Sequence, residues 1–239
     1  MIGKIVRKRG RGGNEMAGLS RFLDKQVDIE ISGNTTFSGT LLDIGQDIIV
    51  IHDGRTFLYI PLLHLQRMTL TLPDEENKEP YARKKSPHPE KQEHSFSYRN
   101  TLQHIKGRFT EIFVTGDRSI HGYVTSVLND YFVFFSPVYK TLFISMHHLK
   151  WLTPYSDEQT PYTLNSSELP VVPANVPLVR NFEEQLKRYT GKLIILDLGD
   201  IPNKVGLLQD VSDNILELTN ADGDTVFWKL NHLKTMHLP

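Results

Sequence analysis

Seven residues at positions 146–152, MHHLKWL, set two adjacent histidines beside a lysine and a tryptophan. Imidazoles so placed are raw material for a metal site or a general base, because a neutral ring ligates metals and titrates near neutral pH. A metal needs further ligands converging on one point, and a base needs a nucleophile or an orienting acid within reach. The chain has no cysteine, which removes thiolate ligands, thiol nucleophiles and disulfides together. No Ser-His-Asp order, phosphate-cradling glycine loop or spaced acid pair stands out. The expectation is therefore a non-enzyme, with no catalytic set, no cofactor and no metal site.

The histidine stretch has copies. LLHLQRM ends at Met68 and LNHLKTM at Met236, so that His64, His148 and His232 recur at intervals of 84 residues. A glycine inside an apolar run precedes each histidine by 25 or 26 residues: Gly39, Gly122 and Gly206. Aromatics stand five residues before each histidine (Tyr59, Phe143, Phe227) and leucine follows each one (Leu65, Leu149, Leu233). Apolar identity is kept while the polar residues between drift, which is the behaviour of a repeated fold unit. These six glycines and histidines are thus a structural signature. A shared metal would require three separately linked units to turn their histidines onto one point. His147, present in one unit only, and Lys150 are the candidate contact residues.

The elements that carry the signature follow from periodicity. Each unit opens with a short amphipathic stretch (GLSRFLDKQ, YRNTLQHIKG, VRNFEEQLKRYTG) and continues as short β-rich runs. In the first unit these are VDIEI, FSGTLLDI, DIIVIHD, TFLYI and HLQRM, with the histidine starting the last strand and a turn at DGR. Asp43, Asp130, Asp210 and Asp213 lie near the turn after the second strand, where acids serve as turn formers. Five short strands escape free edges by closing into a strongly bent barrel, and a glycine in the second strand removes the Cβ where the bend or a close approach is sharpest. The fold expectation is mainly β: three tandem small SH3-like or Sm-like barrels, each preceded by a short helix. Tyr131, Phe132 and Trp228 read as core residues of those barrels, with contact points for a partner as the alternative.

The domain reading is a basic arm at 1–16, barrels at 17–72, 96–153 and 178–239, a charged linker at 73–95 and a Pro-rich linker at 154–177. The 73–95 segment has too few aliphatics to offset its ordering entropy. Net charge is −1, so no global field favours nucleic acid or acidic membranes. The longest apolar run, YFVFF, is far short of the roughly 20 residues that span a bilayer, so no membrane insertion is expected.

Two resemblances bear on function. MHHLKWL and NHLKTM resemble the last-strand region of bacterial Sm-like RNA chaperones, where a Lys-His pair contacts RNA. Here Lys150 and Lys234 follow their histidines, and the first unit has Gln66 and Arg67 instead, so an Sm-like RNA-binding protein is the alternative reading. The unit GTLLDIGQDIIVI followed by TFLYIPLLHLQRM resembles the repeats of the spore coat protein B (CotB)-like family of endospore-forming bacteria. The family's Ser-rich C-terminal tail, and the phosphorylation it receives, are not carried over. The resemblance implies a structural subunit of the outer spore coat, made in the mother-cell cytoplasm and deposited in the coat. It would bind other spore coat proteins and itself in a multivalent manner.

Overall fold

The computed structural model describes residues 18–71, 96–114, 119–156, 161–163 and 176–239. The basic arm, the charged linker and most of the Pro-rich linker lie outside the described residues. Contacts divide the chain into two compact units, residues 1–98 and 99–239.

The first unit holds the 3-10 turn Ser20–Phe22 and five strands: β1 (Gln26–Ile31), β2 (Thr35–Ile44), β3 (Ile48–His52), β4 (Phe57–Pro61) and β5 (Leu65–Leu70). All pairings are antiparallel, in the order β4-β3-β2-β1-β5, so β1 lies between β2 and the last strand. Alternation in QVDIEI sends Val27, Ile29 and Ile31 to the core, whereas β3 (IIVIH) is buried along its whole length. Gly18 and Leu19 are helical and lead into the 3-10 turn Ser20–Phe22. Asp24, at φ 60°, ends the leading segment.

The second unit carries the same plan twice. Helix α1 (Tyr98–His104), whose first residue is the last of the first unit, leads into β6 (Phe109–Phe113), β7 (Ile120–Val127), β8 (Tyr131–Ser136), β9 (Lys140–Ser145) and β10 (Trp151–Pro154). Helix α2 (Phe182–Lys187) leads into β11 (Leu193–Leu196), β12 (Val205–Ser212), β13 (Ile215–Thr219), β14 (Thr225–Lys229) and β15 (Thr235–His237). The orders β9-β8-β7-β6-β10 and β14-β13-β12-β11-β15 repeat that of the first unit. The protein is thus mainly β and modular, consistent with small-barrel repeats.

Three devices recur at matching positions and explain the signature glycines. A Cβ on Gly39, Gly122 or Gly206 would lie closer than 3.0 Å to the carbonyl oxygen of His52, Phe135 or Thr219, so the second strand approaches the third as only glycine permits. Two residues on, each second strand has a β-bulge, at Leu41/Asp43, Val124/Ser126 and Leu208/Asp210. A bulge adds twist and bend where the sheet must curl. Just before the bulge, the carbonyls of Leu41, Val124 and Leu208 accept the amides of Asp24, Gly107 and Gly191, all at positive φ. That left-handed corner turns the chain from the leading helical segment into the first strand.

The histidines do not begin the last strands. His64 and His232 close 3-10 turns, Leu62–His64 and Leu230–His232, and His148 closes a turn three residues before β10. The turns are anchored alike: the amides of Leu62, Met146 and Leu230 donate to the carbonyls of Asp47, Asp130 and Asn214. Each turn thus spans from the fourth strand to the last.

Candidate functional site

The three signature histidines have three environments. His64 is buried, its Nδ1 3.0 Å from the Ser32 hydroxyl, which stitches the end of β1 to the turn before β5. His148 is half-buried, and its Nε2 lies 2.9 Å from the Asn231 carbonyl. Burial holds its pKa below the ordinary histidine value, although the Asn231 carbonyl and the Asp197 carboxylate pull the other way. His232 is exposed. Among the described residues no three His, Asp or Glu side chains gather closely enough to hold a metal ion.

His147 faces solvent, but Lys150 does not project freely: its Nζ lies 5.7 Å above the Phe113 ring, and burial lowers its pKa. Phe113 in turn stacks on Trp151 with ring planes only 7° apart. Tyr131 and Phe132 are fully buried, and Trp228 is half-buried with its indole N–H donating to the Asn203 carbonyl at 3.1 Å. From the second linker, Tyr155 and Tyr162 set their ring edges against Phe109, and the Tyr155 hydroxyl is 3.1 Å from His121 Nδ1.

The two repeats of the second unit meet in an extended joint. β15, the last strand of one repeat, pairs antiparallel with β9, the fourth strand of the other, in the register Thr235↔Ile144, Met236↔Phe143 and His237↔Leu142. One apolar cluster runs through the joint, from Tyr131, Val133 and Phe143 on one side to Leu186, Tyr189, Leu233 and Met236 on the other. The Phe182 and Tyr189 rings sit 5.8 and 5.5 Å from Tyr131 and Phe143 respectively. Tyr131 donates to the Val179 carbonyl at 2.7 Å; burial, helped by the neighbouring Asp130 carboxylate, pushes its pKa up to about 12, so it stays a neutral donor.

The polar half of the joint starts from the turn before β8. Asp130 accepts the Phe182 amide at 2.8 Å, and the Asn129 amide donates to the Arg180 carbonyl at 3.0 Å. Within the first unit the corresponding turn makes the same pair of bonds, Asp47 to the Tyr98 amide and the Gln46 amide to the Phe96 carbonyl. Asp130 thus does more than form a turn; the aspartate-turn pattern in the sequence located it without disclosing its partner.

Asp197 went unmarked in the sequence reading. Fully buried at φ 47°, it accepts the amides of Lys234 and Thr235 and pairs with Lys204 Nζ at 2.8 Å. Lys204 also reaches Asp200 and lies 5.4 Å from the Trp228 ring centre. These bonds fix the chain where it enters β15, the strand that makes the joint. No repeat column points to Asp197, since Glu30 and Phe113 occupy the matching positions.

The molecule is, by its elements, a modular β protein in which the two repeats of the second unit join through edge strands. Comparison with known proteins carries this one step further. Residues 181–236 match the family model described as the YwrJ third domain, a stretch that takes in α2, the first four strands of the last repeat and β15 as far as Met236. The uncharacterized protein YwrJ of Bacillus subtilis (strain 168) is 62% identical over 225 residues, covering 94% of this chain and the whole of that protein. The chain belongs to the YwrJ family.

Proposed function

We propose that this protein is a structural subunit of the spore coat, a multivalent module that binds other coat proteins and is not an enzyme. It is made in the mother cell and deposited on the forespore. The observation that carries this reading is the β9·β15 joint: a repeat of this chain recognises another repeat by adding a strand to its sheet and closing an apolar cluster over it. Modules with that habit, tethered in one chain, raise avidity without any tight single contact, as a scaffold requires. The resemblance of the repeats to those of the CotB-like family supports the spore coat as the site of action.

A fluorescent fusion followed through sporulation should ring the forespore, and the native protein should fractionate with the coat. Abundant protein dispersed through vegetative cytoplasm would overturn the reading. The Sm-like RNA-binding alternative draws on the same last-strand residues, but Lys150 is turned over an aromatic ring and His148 is engaged with Asn231, which leaves little of that stretch for phosphate.

A further inference from the structure

The joint between the two repeats of the second unit has a receiving face and an inserting face. The receiving face consists of the fourth strand and the residue that opens the third: Phe143 and Tyr131, which are 2% and 0% exposed there. The inserting face consists of the last strand and the leading helix: Met236, Leu233, Leu186 and Tyr189, all buried.

Both faces exist a second time, uncovered. In the last repeat the positions of Phe143 and Tyr131 are taken by Phe227 and Ile215, which are 64% and 45% exposed. In the first repeat the positions of Met236, Leu233, Leu186 and Tyr189 are taken by Met68, Leu65, Leu19 and Phe22, all only half-buried. The 3-10 turn Ser20–Phe22 buries none of its residues, whereas α2 buries Phe182, Gln185 and Leu186. Among the described residues of its own unit, β14 pairs only with β13 and β5 only with β1, so each has a side without a partner strand there.

We propose that the protein assembles head to tail with further copies of itself, β14 of one copy pairing antiparallel with β5 of the next. The register follows from the internal joint: Arg67 opposite Trp228, Met68 opposite Phe227 and Thr69 opposite Val226. Phe22 and Leu19 of the incoming copy then cover Phe227 and Ile215, matching Tyr189 and Leu186, which share one apolar cluster with Phe143 and Tyr131 within the chain. An apolar edge strand left open is a liability that proteins normally blunt, and β14 (TVFWK) carries one charged residue, at its end. A second copy is the occupant because its β5 is the strand whose counterpart, β15, already fits this kind of edge inside the molecule. The contact is heterologous, so it repeats from copy to copy until the assembly closes or grows into a filament. It is independent of where in the cell the protein acts.

The test uses the full chain and two variants, Phe227→Glu and Met68→Glu, followed by sedimentation velocity over a wide concentration range. Wild-type protein should form species larger than a monomer that grow with concentration. Each variant alone should stay monomeric, and an equimolar mixture should give one-to-one dimers, because each supplies the intact face the other lacks. Wild-type protein that stays monomeric throughout overturns the proposal, and so do variants that assemble like wild type. A Met68→Glu protein that still dimerises while Phe227→Glu does not would place β14 against β14 and overturn it too. As a check that does not need the charged variants to fold, Phe227→Cys and Met68→Cys chains can be mixed and oxidised, the natural chain having no cysteine. Head-to-tail pairing yields the mixed disulfide in excess over both homodimers; an even or inverted ratio rejects it.

Discussion

At the scale of the residue, two side-chain positions test the account most directly. Gly122 sits where a Cβ would press on the Phe135 carbonyl and the Phe134 ring, and neither strand can yield without losing its partner. Gly122→Ala should therefore lower stability by about 1–3 kcal/mol, the usual cost of overpacking. Gly18→Ala, with open space around it, should change stability little; urea unfolding of the two variants decides. Asp197 is the second position. Removing a buried carboxylate that holds two amides and a lysine leaves Lys204 and those amides without their acceptor. Asp197→Ala should cost about 3–5 kcal/mol, the range for breaking one partner out of a buried pair, read from the shift of the denaturant midpoint. A loss no larger than that of an exposed ion pair would mean water reaches the site freely.

At the scale of the element, the joint made by β9 and β15 has a pH dependence with a defined sign. Burial holds His148 and His237 below the ordinary histidine pKa, so the folded protein keeps both rings neutral where the unfolded chain would protonate them. The unfolded state then binds more protons, and stability, complete above about pH 6.5, drains away as pH falls through the lowered folded values. Melting temperature measured near pH 7.5 and near 5.5 should drop at the lower value, and replacing both histidines by glutamine should flatten the difference. These same elements show what the sequence disclosed. Strand periodicity and the 84-residue repeat were legible because each unit keeps its apolar columns, and the strand glycines were legible because a close approach tolerates nothing else. The turn histidines were misplaced onto the strands, since the 3-10 turn before the last strand has no periodic signal of its own. The joint was invisible: a one-dimensional pattern marks Phe143 and Phe227 as equivalent, and only the pairing of β15 with β9 makes one buried and the other exposed.

At the scale of the whole molecule, the balance of charge separates the two readings of function. Net charge is −1, and the residues on the proposed contact faces, Ile215, Phe227, Leu19, Phe22, Leu65 and Met68, are uncharged. A contact made of strand hydrogen bonds and apolar burial does not depend on releasing counterions. A protein that neutralises 6–10 phosphates, by contrast, loses roughly a thousandfold or more in affinity between about 50 and 200 mM salt. Self-assembly measured by sedimentation at those two salt concentrations should therefore hold steady or strengthen slightly, and nuclease treatment should leave it unchanged. Labelled RNA should show no shift that the Phe227→Glu substitution abolishes, because that residue belongs to the edge and not to a phosphate track. Assembly that collapses on raising the salt would instead point to the charged segments beyond the described residues as its source, and would detach the strand-edge contact from self-association altogether.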